Sequence, residues 1–170
     1  MTNRIAAVLL LGLAFGPLPA AAQEMPPDYA GVLKTLGRAG DFKGNVLKVN
    51  VPRADLTVAI DGVIAPMPLG FSGWLAMAKG DGGMDVMMGD LVLAEREVNP
   101  VMSAVLAAGL DVTALHNHFF FETPRIYYMH VHGRGTAAEL AAKVKPALDL
   151  IGKGIGNLVM GTGSHLAAGL

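Results

Sequence analysis

Short runs rich in apolar and β-branched residues fill the stretch from 45 to 93, with an alternating pattern at 45–51 and 56–60, and Pro-, Gly- or Asp-containing turns separate them. A period of two marks a half-buried strand, because successive side chains leave a strand on opposite faces. Strands are therefore expected over residues 45–51, 56–60, 63–66, 71–77 and 84–93. Pro52-Arg53-Ala54-Asp55 separates the first two and sets Arg53 and Asp55 as turn and ion-pair residues. Asp61-Gly62 is a hairpin signal, since a two-residue type I′ turn needs positive φ at both central residues. A chain committed to so many short strands must cover at least one sheet face with a second layer.

Helical spacing supplies that layer. Residues 28–36 place Val32, Leu33 and Leu36 on one side, with Asp28 as N-cap and Gly37 at the end. Residues 95–108 group Val98, Met102, Val105 and Leu106; Gly109 is placed to end this helix, and Asn99-Pro100 offers it a start. Thr136 and Glu139 form a capping box for a last helix, whose Leu140, Val144, Leu148 and Ile151 share a stripe. Pro146 is expected to kink it, and Gly152, Gly154 and Gly156 to stop it. Residues 111–121 and 125–132 read as paired strands. The expected fold is α+β, a mostly antiparallel sheet with two to three helices packed on one face. The opposite face then needs a ligand, a partner or water.

Residues 1–22 have the layout of a signal peptide: Arg4, a short apolar run from Ile5 to Phe15, Pro17 and Pro19, and Ala20-Ala21-Ala22 as a cleavage site. The run is too short to cross a bilayer comfortably. The chain has no cysteine, so no thiol is available for lipid attachment at the cut or for a disulfide. The expected organisation is a signal peptide over 1–22, one α+β domain over 23–156 and a flexible Gly/Ala-rich tail over 157–170 that contains His165. The product is expected to be periplasmic or secreted, with no membrane insertion once the signal is removed. Arg4 is one of 13 basic side chains set against 14 acidic ones, so the exported part is slightly acidic. Its Lys and Arg residues are scattered singly, which argues against nucleic acid as a partner.

Four of the five histidines fall in two pairs, His116-Asn117-His118 and His130-Val131-His132. Neutral imidazole is the commonest metal ligand, and two His-x-His pairs on neighbouring strands can project from one sheet face. Register decides whether they do. A three-residue loop, Glu122-Thr123-Pro124, puts Phe121 opposite Arg125 and His116 opposite His130, with all four rings on one side; a four-residue loop splits the pairs. Opposed Cβ atoms stand about 5 Å apart, close enough for three imidazoles to meet one ion. The candidate metal ligands are His116, His118, His130 and His132, with the last either a fourth ligand or a supporting group. Zinc leads, although Cu, Ni, Fe or Mn also accept imidazole. Glu122 is the nearest carboxylate and the candidate catalytic base on bound water. Tyr128 shares the histidine face, and Arg125 is placed to meet an anionic ligand. Histidines can also be plain structural residues, and Phe119, Phe120, Phe121, Tyr127 and Tyr128 would bury much of such a hairpin. Met84, Met87 and Met88 are read as core packing in preference to copper thioether ligands. Gly152-Lys153-Gly154-Ile155-Gly156 follows a helix, so it reads as a terminator in preference to a phosphate cradle.

Pro52-Arg53-Ala54-Asp55-Leu56, Met88-Gly89-Asp90-Leu91-Val92-Leu93, Glu97-Val98-Asn99-Pro100-Val101-Met102, Thr113-Ala114-Leu115-His116-Asn117-His118, Glu122-Thr123-Pro124-Arg125 and Tyr128-Met129-His130 together resemble the LppY/LpqO-like family of exported bacterial proteins, whose domain has no assigned function. The resemblance spans about residues 32–150. Such proteins often carry two copies of the unit, whereas this chain carries one, so the resemblance raises a homodimer as the way to restore a paired arrangement. It implies no reaction.

The functional expectations are threefold: an envelope protein binding a divalent transition metal or small ligand, a metal-dependent hydrolase or lyase using Glu122 as general base, or a metal-free binding or assembly module. N-terminal sequencing of the protein exported from a bacterial host should begin at Gln23; recovery of Met1 in the mature protein would remove the export reading.

Overall fold

In the computed structural model, which describes residues 23–153, the alternating runs become antiparallel strands. The expected signal peptide, the tail and His165 lie outside the described residues. The order is α1 (Pro27–Leu36), β1 (Gly40–Lys43), β2 (Val46–Pro52), β3 (Val58–Ile60), β4 (Val63–Ala65), β5 (Ser72–Lys79), β6 (Asp85–Ala94), α2 (Glu95–Ala107), β7 (Asp111–His116), β8 (Glu122–Thr123), β9 (Ile126–Gly135) and α3 (Ala137–Leu148). A six-stranded sheet runs β1-β2-β5-β6-β9-β7, and a three-stranded sheet runs β4-β3-β8. The fold is α+β with mostly antiparallel pairing.

Alternation sorts the large sheet into two faces. Leu47, Val49, Leu75, Met77, Met87, Leu91, Met129 and Val131 turn inward and pack with Tyr29 and Val32 of α1, Val101 and Val105 of α2, and Leu140 and Val144 of α3. A second, smaller cluster forms on the other face, where Val92, Ile126 and Tyr128 meet Val58 and Phe71. The small sheet thus covers one end of the outer face.

Several local expectations shift by a residue or two. β1 lacks a sequence signal of its own and pairs with β2 through Gly44-Asn45, both at positive φ, so Asn45 belongs to a turn. Asp61-Gly62 takes positive φ at both positions, as the hairpin requires. α1 begins at Pro27 with no side-chain cap, and Asp28 sits inside its first turn, bound to Lys79. α2 begins at Glu95, not at Asn99-Pro100. The Glu97 carboxylate accepts the Ala94 N–H at 2.8 Å and so closes the helix start five residues before Pro100. Its buried side is Glu97, Val98, Val101 and Val105, while Leu106 is 54% exposed. α3 keeps the Thr136–Glu139 box and buries Leu140, Val144 and Leu148 as expected. Of the three methionines read as core, only Met87 is; Met84 and Met88 are exposed, because the alternation that buries Met87 turns Met88 outward.

One ion-pair cluster ties β2, β6, α2 and the end of α3 together. The buried Arg53 guanidinium grips Glu97 through Nη1 at 2.7 Å and Asp55 through Nε at 2.9 Å and Nη2 at 2.8 Å, and also donates to the Val92 carbonyl. Glu97 accepts the Gly152 N–H at 2.8 Å as well. Removing one partner of a buried pair leaves an uncompensated charge. Arg53→Ala should therefore lower the unfolding free energy by about 3–5 kcal/mol, seen as an earlier urea midpoint. A midpoint close to wild type would show that the cluster carries little of the stability.

Candidate functional site

The outer face of β9 presents Tyr128, His130 and His132, because these alternate with the core residues Met129 and Val131. β6 and β9 pair without a break from Asp85↔Gly135 to Ala94↔Ile126, which sets Asp90 directly opposite His130. On the other flank, β7 opposes Ala114 to His130 and His116 to Tyr128. The expected pairing of His116 with His130 is thus displaced by two residues, yet both still face outward. The cause is a register shift between Val112 and Ala114, which leaves Thr113 as a bulge. Had the register of Val112 run on through Thr113 without the shift, His116 would stand opposite Tyr127 and point to the helix side.

β7 ends at His116, not at Phe121 as expected. Residues 122–123 form β8 and pair with β3 in the smaller sheet, which draws the chain away from a simple hairpin. His118 therefore lies on a loop. Its ring stacks on Tyr128 at 3.4 Å and 10° and returns to the cluster. Phe119 packs near Phe71 at 5.8 Å, whereas Phe120 and Phe121, expected to bury the hairpin, are exposed on the same loop.

Three of the four predicted ligands come together. His116 and His118 are hydrogen-bonded Nε2 to Nε2 at 3.2 Å, one ring donating and the other accepting, and the His116 and His130 ring centroids are 5.0 Å apart. His130 Nε2 lies 3.8 Å from Asp90 Oδ1. His132 stands apart, its Nδ1 3.5 Å from the exposed Asp111. Among the described residues no three His, Asp or Glu side chains close on a single point as they stand. The cluster presents a nitrogen pair, His116 with His118, beside a nitrogen–oxygen pair, His130 with Asp90.

Glu122 is buried beside this cluster. Its Oε1 accepts the Ile126 N–H at 3.0 Å and is 3.5 Å from Asn117 Nδ2, which also donates to the Ile126 carbonyl at 2.6 Å. Asn117 thus locks the turn that presents Glu122. The other oxygen, Oε2, is buried without a hydrogen-bond partner, and so are Asp90 Oδ1 and the Tyr128 hydroxyl. All three belong to the same outer-face cluster. Burial, then the charges of Glu122 and Asp90, push the Tyr128 phenol up to about 12, so it remains a donor at neutral pH. Burial, then the His116 ring, hold His118 below the ordinary imidazole value, which favours the neutral form that binds metal. Arg125 is exposed and lines a cleft of about 360 Å³ with Ala94, Glu95, Arg96 and Pro124, apart from the histidines.

Asp90 and Asn117 carry no motif of their own. The trace of Asp90 in the sequence is an acid inside an alternating apolar run, on the side shared by Val86, Met88 and Val92. Asn117 stands between two histidines and is visible only as their spacer.

A search of curated proteins and a search of solved structures each returned no match to the chain. The family model described as Domain of Unknown Function (DUF1259) matches residues 30–150, which takes in every strand, all but the start of the first helix and the whole histidine cluster. The chain belongs to this family.

Proposed function

We propose that this is an exported bacterial envelope protein, of the LppY/LpqO-like kind, that binds a divalent transition metal through His116, His118 and His130. The observation that carries the reading is the 3.2 Å separation of the His116 and His118 Nε2 atoms. Two nitrogens held about 2.0–2.1 Å from one tetrahedral zinc stand roughly 3.3 Å apart, so the pair already has the spacing of two ligands. His130 lies one ring away, its centroid 5.0 Å from that of His116, and its side chain is 41% exposed. Zinc suits the imidazole donors, and Cu, Ni, Fe or Mn are the other candidates. The place of action is the periplasm or the exterior, and a homodimer is the assembly proposed for a single copy of the unit.

A second reading, a metal-dependent hydrolase or lyase, draws on Glu122. A carboxylate oxygen that is buried, fixed through its other oxygen and left without a partner is placed to take a proton from metal-bound water.

Metal content of protein purified without an affinity tag separates these from a metal-free module. About one zinc per chain should survive dialysis, and His116→Ala and His130→Ala should each lose it. Saturating zinc should also raise the wild-type melting temperature, since a ligand at about 100 times its Kd adds roughly 2.7 kcal/mol. Wild-type protein that takes up no divalent metal in a calorimetric titration would overturn both readings.

A further inference from the structure

Buried carboxylates elsewhere in this protein have partners that answer their charge. Glu97 meets Arg53, and Asp85 accepts the Tyr29 hydroxyl at 2.7 Å and lies beside Lys79. Asp90 and Glu122 break the pattern. Among the described residues neither has a Lys or Arg partner, each holds one buried oxygen with no hydrogen bond, and Glu122 is only 6% exposed. Glu122 is buried as a whole, whereas the Asp90 side chain is 21% exposed and only its Oδ1 is shut off. A buried carboxylate oxygen left unpaired is disfavoured, and two of them beside three imidazoles describe a place for a dication. Neutral imidazoles bring no charge, whereas two carboxylates balance a divalent ion.

We infer that Asp90 is a metal ligand, so that the centre is built from three imidazoles and one carboxylate, and that Glu122 and Tyr128 hold an oxygen-donor ligand, water or a small hydroxylated molecule, on the remaining open side. This rests on the metal-binding reading above and goes beyond it in naming the fourth ligand, the type of ion and the ligand class. Asp90 is set opposite His130 by the unbroken β6–β9 register, with 3.8 Å between Oδ1 and Nε2. That gap is a little wider than two ligands of one ion. Sheet backbone blocks one side of the ion, leaving the other for exogenous ligands. Glu122 Oε2 can accept from such a ligand and the Tyr128 hydroxyl can donate to it. A mixed nitrogen and oxygen set with open positions favours five- or six-coordinate ions, Mn(II), Fe(II) or Co(II) as well as Zn(II), over a closed tetrahedral zinc.

The test uses the full-length exported protein with Mn(II), Co(II) and Zn(II) added singly. Co(II) in the wild type should give the weak visible bands of a five- or six-coordinate ion; intense tetrahedral bands would overturn the proposal without recourse to any variant. Asp90→Asn keeps the shape and removes the charge. It should weaken Mn(II) binding by more than the roughly 10–100-fold that losing a hydrogen-bonding neighbour of a ligand costs, while Glu122→Gln should stay within that range. Glu122→Gln should also shift the pKa of metal-bound water, read from the pH dependence of the Co(II) spectrum. Wild-type affinity in Asp90→Asn removes Asp90 from the centre and leaves the histidine reading standing. Equal losses in the two variants overturn the division of roles. A wild type that binds none of the three ions defeats the metal reading itself, and this inference with it.

Discussion

The pairing of β6 with β9 is the constraint on which the rest of the architecture depends. Ten consecutive partners lock two central strands together, and each strand serves the core with one face and the candidate site with the other. Because the side-chain period is two, a slip of one residue would exchange those faces throughout. If β9 slipped, Tyr128, His130 and His132 would lie among the helices with Met129 and Val131 turned outward; if β6 slipped, Asp90 and Leu91 would change places in the same way. The apolar core therefore fixes the position of the polar cluster. Gly89 contributes directly: a Cβ there would lie 2.5 Å from Leu75 Cδ2 and 2.8 Å from Val131 Cγ2, so any larger residue would have to push those side chains aside at this row.

The bulge at Thr113 adds a second, local constraint. At the start of β7 Asp111 faces His132; beyond the bulge Ala114 faces His130 and His116 faces Tyr128. One extra residue changes which side of β7 carries His116. An edge strand accommodates it readily, since Thr113 projects at the boundary of the sheet, where no further strand must follow the distortion. The loop after β7 is then held at its far end by β8, which pairs with β3 and fixes Glu122 through the Ile126 amide. The small sheet thus closes one end of the outer face and aims the turn carboxylate, two tasks performed by eight strand residues.

Much of this was legible in the sequence for reasons that are local. The Asp61-Gly62 turn, the Thr136–Glu139 box and the strand run of residues 84–93 depend on neighbours in the chain, and each takes the form that its residues favour. The outward turn of His116 together with His130 was expected from an even register, and the register is even where it matters, although shifted by two. The chain could not announce the bulge, because Thr113 is an ordinary strand residue and the shift is settled by β9, thirteen or more positions away. Nor could it announce that residues 122–123 would leave the hairpin for β3, a partner sixty residues earlier. Asp90 is hidden for the same reason: its meeting with His130 is a property of strand pairing. The core stripe of α2 was displaced by one charged group, since Glu97 turns inward to Arg53 and rotates the helix with it.

The two sides of the large sheet treat buried charge in opposite ways, and the contrast bears on what the outer face is for. On the helix side, Arg53 is surrounded by Asp55, Glu97 and the Val92 carbonyl, and Glu97 in turn accepts the Ala94 and Gly152 N–H groups. Such a cluster answers its own charges. On the outer side, the same fold keeps Asp90 Oδ1, Glu122 Oε2 and the Tyr128 hydroxyl out of water and without partners, next to imidazoles that carry no compensating charge when neutral. Each unsatisfied group of this kind lowers stability by about 1–3 kcal/mol, in a domain whose total margin is only about 5–15 kcal/mol. On the proposed reading, a scaffold that satisfies its other buried carboxylates so fully retains that penalty at one place because the missing partner arrives from outside. A dication fits the need better than a neutral guest, since it answers the acceptor oxygens, the ring nitrogens and the uncompensated negative charge together.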